Sequence, residues 1–79
     1  MEAQNVEIIV LCDKTGLKPQ ILRLGGYEYR LQKVNLHYTN HEGGRIVHYF
    51  ACSDQANYFH LRFDSYDLTW QVLEIKEYG

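Results

Sequence analysis

The segment "YEYRLQKVNLHY", Tyr27–Tyr38, decides how this chain folds. Tyr27, Tyr29 and Leu31 share one parity, whereas Val34, Leu36 and Tyr38 share the other. Side chains alternate between the two faces of a strand, so a regular strand would bury one set and expose the other. One extra residue near Gln32-Lys33 brings both sets inward. The pattern predicts a β-bulge or sharp bend there, a device that curls small sheets toward barrels.

On the N-terminal side, "VEIIVLC" (Val6–Cys12) reads as a strand and "DKTG" (Asp13–Gly16) as a turn. Asp accepts local backbone donors there and Gly supplies positive φ. "KPQILRL" is a second strand with Pro19 near its start, followed by a tight Gly25-Gly26 hairpin turn. On the C-terminal side, "TNHEGG" turns into "RIVHYFAC", "SDQAN" into "YFHLRF", and "DSYD" into "TWQVLEIKEY". The last segment shifts phase again, from Trp70 and Val72 to Leu73 and Ile75. A short helix with Leu68, Val72 and Ile75 on one side is the competing reading of residues 68–78. The β-branched and aromatic residues favour a strand.

Period-2 patterning broken every eight to twelve residues by turn chemistry predicts an all-β fold. The expected architecture is a strongly bent antiparallel meander, or a partly open SH3-like or OB-like barrel, of five to six strands. Seventy-nine residues make one domain, 1–79.

A net charge of −2 argues against a general polyanion binder, which needs a basic excess to release phosphate counterions. Protonating all four histidines would carry the chain from −2 to +2, so charge-dependent behaviour should change near pH 6.5. Cys12 and Cys52 stand forty residues apart in no metal-like or redox pattern. No run approaches the ~20 apolar residues of a membrane span, and the N-terminal apolar run is too short for a signal peptide. The expectation is a cytoplasmic protein with two reduced thiols and no membrane partner.

Three of the four histidines lie in "NLHYTNHEGGRIVHYF", Asn35–Phe50. If His41–Gly44 forms the loop, Tyr38 faces Val47, His37 faces His48 and Leu36 faces Tyr49. Val34, Leu36, Tyr38, Val47, Tyr49 and Ala51 would then build the core. Asn35, His37, His48 and Phe50 would occupy the other face, with Tyr58, His60 and Arg62 from the next strand. Opposed Cβ atoms lie about 4.5–5.5 Å apart, close enough for two imidazoles to share a metal. His37, His48 and His60 are thus the candidate ligands, but zinc needs three or four ligands with outer support and the spacing has no such signature. No cofactor is expected.

"IVHYFAC" is apolar at both parities, so its strand is either covered on both sides or presents Phe50 and Ile46 outward. The second alternative gives a contact patch of His37, Ile46, His48 and Phe50 for a protein partner or a second copy. A third surface reading places Arg30, Lys33, Tyr58, His60 and Arg62 on a single-stranded nucleic-acid platform of aromatics and cations. Snorkelling cations on a solvated sheet are the commoner explanation. No catalytic residue is assigned. "KTG" (Lys14–Gly16) lacks the glycines of a phosphate loop, Asp64 and Asp67 lack the alternating oxygens of a calcium loop, and strand cysteines usually serve as small hydrophobes.

"KPQILRLGGYEYRLQKV" and "HYFACSDQANYFHLRFDSYDLTWQVLEI" together resemble a family of small prokaryotic all-β domains of unknown function. Its pattern joins a "G-x-x-Y-x-V" segment to "Y-F-x-x…F-x-L-x-x-D…W-x-L". Here Tyr29 is followed by Arg30-Leu31 in place of the valine. The resemblance implies a small β fold and no catalytic residue. Some members lie near lesion-bypass polymerase genes, which adds to the nucleic-acid alternative. The leading expectation is a non-catalytic module for protein contact or self-association.

Overall fold

Adjacent backbone amides at the predicted bend serve different sheets. The Leu31 N–H donates to the Gln20 carbonyl at 2.8 Å, and the Gln32 N–H donates to the Ser53 carbonyl at 2.9 Å. In the computed structural model, which describes residues 4–78, this bend divides the long third strand into β4 (Tyr27–Arg30) and β5 (Lys33–Glu42). The expected first strand, Val6–Cys12, is β2 (Glu7–Asp13), and a two-residue strand that was not expected, β1 (Gln4–Asn5), precedes it in the other sheet. The others are β3 (Gly16–Leu24), β6 (Arg45–Ser53), β7 (Asn57–Asp64) and β8 (Thr69–Glu77).

All pairings are antiparallel, in a larger sheet ordered β1-β8-β7-β6-β5 and a smaller one ordered β2-β3-β4. The two bent segments carry the chain between them, giving an open, strongly curved meander and not a closed barrel. Residues 69–77 are strand, so the helical alternative for the C-terminal segment is overturned. Its phase shift is a bulge opposite His60 and Leu61 that lets both Val72 and Ile75 reach the interior.

The loop of the second hairpin is shorter than expected. Only Gly43 and Gly44 lie outside the ladder, with φ of 59° and 80°, left-handed values that a two-residue type I′ turn requires and glycine adopts freely. Glu42 therefore pairs with Arg45, Tyr38 with Tyr49, His37 with Phe50, and Leu36 with Ala51. The slide of two residues changes every expected pair yet, from Leu36 to Glu42, leaves each side chain on its expected face.

Which face is buried is the larger correction. Phe50 and Cys52 of β6, Phe59 and Leu61 of β7, and Val72 of β8 form the core with Leu22 and Leu31. Leu36 and Tyr38, expected inside, are 55% and 44% exposed, whereas Phe50 is 0% exposed. The neighbouring strand decides this: Phe59 and Leu61 pair with Cys52 and Phe50, while Tyr58, His60 and Arg62 pair with Ser53, Ala51 and Tyr49. Burying the Phe/Leu side removes more apolar area from water, at roughly 25 cal/mol per Å². A bulge between Val34 and Leu36 puts Val34 opposite Cys52 and against the core, so both parity sets of the opening segment do turn inward in part. Val47 and Ala51 are buried on the outer face, small residues set between the longer side chains of β5 and β7.

Candidate contact surface

On the inner face, the smaller sheet stops short of the β5–β6 tip, where Thr39, His41 and Ile46 are exposed. Between this tip and the core runs a strip of rings. Trp70 stacks on Phe63 at 4.6 Å between centroids, and Phe63 meets His48 at 5.8 Å. His48 stacks on His37 at 5.1 Å, and His37 lies flat on Phe50 at 4.2 Å. His37 Nε2 and His48 Nδ1 are 2.9 Å apart and share a hydrogen bond across the hairpin. Burial, and secondly the charge of His48, hold the His37 imidazole below its ordinary value.

The structure therefore brings His37, His48 and Ile46 to one face as expected, but removes Phe50 from any contact surface by burying it. His60 lies on the opposite face, paired with Ala51 and Glu74. Among the described residues no group of three or more His, Cys, Asp or Glu side chains converges as a metal site would require. The proposed third imidazole is on the wrong side of the sheet.

The outer face carries a different arrangement. Tyr38 stacks on Tyr49 at 5.0 Å, and Tyr49 meets His60 at 6.1 Å. The Tyr49 hydroxyl donates to Glu42 Oε2, Arg62 donates to Glu42 Oε1 at 3.3 Å, and Arg62 also reaches Gln71 at 3.4 Å. The Tyr49 hydroxyl and the Arg62 guanidinium hold the Glu42 carboxyl below the usual range. Beyond them, Arg45 bonds Asp64 at 2.9 Å, approaches Asp67 at 3.7 Å and lies over the Tyr66 ring at 4.5 Å. Asp64 also accepts the Tyr66 N–H, and these donors hold its carboxyl below the usual range. The two aspartates are thus turn acceptors around an arginine.

Of the nucleic-acid candidates, Lys33, Tyr58, His60 and Arg62 share this outer face through the rows Lys33–Ser53–Tyr58 and Ala51–His60 with Tyr49–Arg62. Arg30 lies on β4 in the smaller sheet, opposite Ile21. Glu42, Asp64 and Glu74 stand among the cations of the outer face. Cys12 and Cys52 are both free thiols, and burial pushes Cys52 up to about 11, which keeps it protonated and unreactive at neutral pH.

The surface missed from sequence is the free edge of β5. It ends the larger sheet, with ten residues and, among the described residues, no strand on its far side. Lys33 and the bulge at Val34–Leu36 blunt its first part, while Leu36–Glu42 continues without lysine, proline or bulge. The Gly-Gly pair carried the signal, because a two-residue loop fixes both register and which amides point outward. The closing pair Glu42–Arg45 is hydrogen-bonded in such a turn, so Asn40 and Tyr38 direct their backbone groups to β6. His37, Thr39 and His41 direct theirs away from the sheet. Comparison with family models, curated protein sequences and solved structures yields no match. Among the described residues no helix is long and apolar enough to cross a membrane.

Proposed function

We propose that this protein is a non-catalytic β module that self-associates by strand addition along β5. The observation that supports this reading is the uncovered edge itself. Unpaired strand groups template a further strand, and natural edges are ordinarily blocked by charge, bulge or cover. From Leu36 to His41 the strand carries no Lys, Arg, Asp, Glu, Pro or bulge, and exposed Leu36 and Tyr38 flank the free backbone. A second copy brings the same strand with the same vacancy, so one symmetric contact covers both edges. Such a contact buries less than a standard interface and is accordingly weak and reversible.

Sedimentation velocity over a wide concentration range at neutral pH tests the proposal. Wild type is expected to shift from monomer to dimer as concentration rises. Thr39→Pro removes an outward N–H without breaking the β5–β6 ladder, and is expected to remain monomeric and folded. A wild type that stays monomeric at millimolar concentration overturns the proposal.

The shared face of Lys33, Tyr58, His60 and Arg62 favours a second reading, a weak single-stranded nucleic-acid platform. The carboxylates of the same face and the Arg62–Glu42 contact weigh against it. Fluorescence anisotropy with a labelled oligonucleotide separates the two: salt-dependent binding at low ionic strength supports the platform, and no change removes it.

A further inference from the structure

We infer that the second copy lies antiparallel on β5 with His37 at the two-fold axis, and that acid breaks this contact. The inference rests on the strand-addition reading and adds to it a register and a mode of control.

Among the axes that the outward groups of His37, Thr39 and His41 allow, side chains and charge select His37. There Leu36–Tyr38 form the regular ladder, and Thr39–Glu42 meet segment 32–35 of the mate beside its bulge. His37 directs its own N–H and C=O outward, so two copies of it can exchange both hydrogen bonds across the axis. Leu36 of each chain then lies opposite Tyr38 of the other, on the outer face. These are the two exposed large apolar residues of the strand, and the pairing covers both. Lys33 stands at one end of β5 and Glu42 at the other. Antiparallel pairing turns each lysine toward the glutamate end of its mate, whereas parallel pairing would set like charges together.

The same register builds a row of four imidazoles across the inner face, His48 and His37 of one copy followed by His37 and His48 of the other. Within each copy, Nε2 of His37 and Nδ1 of His48 share one proton at 2.9 Å. One ring can gain a proton at its distant nitrogen and keep that bond. When both rings are cations, two N–H groups confront each other and the bond is lost.

The groups facing this row are His41 and Thr39 from β5, Ile46 and Phe50 from β6, Phe63 from β7 and Trp70 from β8. None is a carboxylate, and His41 is the further titratable side chain among them. His37 cannot retreat inward, because its ring rests on buried Phe50. Protonation in the dimer therefore places like charges about one strand spacing apart with no neutralising partner, a cost absent in the separated chains.

Sedimentation equilibrium of the full chain at pH 7.5 and pH 5.5 tests the acid control, with circular dichroism confirming that the fold persists at the lower pH. The dimer is expected to dissociate about tenfold more readily at pH 5.5. His37→Gln and His48→Gln are each expected to dimerise with a much smaller pH dependence. Equal dissociation constants at the two pH values, or a pH dependence undiminished in both variants, overturn the acid control.

The register is tested by oxidising a mixture of Leu36→Cys and Tyr38→Cys chains, each in a Cys12→Ser background. The mixed disulfide is expected to dominate over either self-disulfide, and the reverse pattern overturns the register. A wild type that is monomeric at pH 7.5 instead removes strand addition itself, a separate outcome.

Discussion

The two faces of the larger sheet are made by alternate residues of the same strands, yet they are held by different physics. The inner face of β6, β7 and β8 gives Phe50, Cys52, Phe59, Leu61 and Val72 to a core closed by Leu22 and Leu31. Among the described residues the outer face has no second layer. Its order comes from side chains laid across one another: Tyr38 on Tyr49, Glu42 between Tyr49 and Arg62, Arg45 between Asp64 and Asp67. Hydrophobic burial is non-directional and scales with area, whereas these polar contacts are directional and largely exchanged against water. The inner face should therefore dominate stability, and the outer face should specify arrangement at a smaller energetic scale.

The sharpest way to break this comparison is at Phe50, which occupies the centre of the inner face and touches His37 and Trp70 through its ring. Phe50→Ala is expected to destabilise by about 3–5 kcal/mol, a loss large enough to unfold much of so small a domain at room temperature. Chemical denaturation of Phe50→Leu, which keeps most of the volume, gives a folded comparison with a much smaller loss. On the outer face, Tyr49→Phe removes the hydroxyl from Glu42 and is expected to cost only a small fraction of the Phe50→Ala loss, because water replaces the lost partner. Equal losses for Phe50→Ala and Tyr49→Phe in urea titrations would refute the division of labour.

The bend of the third strand was legible because its two parity sets cannot both be buried on a regular strand. The turns were legible because Asp13, Asp54, Asp64 and Asp67 accept backbone N–H groups from the residues just after them, as aspartate in turns does. The inside and outside of β5 and β6 were not. "VNLHY" and "IVHYF" carry apolar or aromatic residues at both parities, so period alone gives no preference. The choice is made by β7, whose Phe59, Leu61 and Phe63 alternate unambiguously with Tyr58, His60 and Arg62. The pairing of His37 with His48 was half legible: both rings reached the same face, but as diagonal neighbours beside Phe50 and not as a directly opposed pair. The free edge depends on strand order, which no single segment encodes.

A smaller effect sharpens the contrast at the turn joining β7 to β8. Leu68 is 72% exposed and adopts a φ of 61°, a left-handed conformation that costs a non-glycine residue about 1–2 kcal/mol. It buries little in return. Leu68→Gly is expected to raise stability by up to about 1 kcal/mol, part of the relieved strain being lost to the greater freedom of unfolded glycine. Thermal unfolding should show this as a gain of a few degrees.

The smallest expected effect lies where the two kinds of surface meet, at the imidazole pair. The ordinary histidine value of about 6.5 applies to the unfolded chain, and His37 titrates below it when folded. Between those values the unfolded state binds more protons, so folding stability is fully present above about pH 6.5 and declines as pH falls through the folded value. The acids behave separately. Asp13, Glu42 and Asp64 are held below their ordinary carboxyl values, so the stability they add is present above about pH 4 and is lost only in stronger acid. His37 is largely exposed and screened, so for a dilute, monomeric sample the drop in Tm between pH 7.5 and 5.5 should stay below about 4 °C. His37→Gln should flatten that interval while leaving the acid limb below pH 4 unchanged. A variant that instead moved the acid limb would tie the imidazole pair to the outer-face carboxylates, from which the sheet itself separates it.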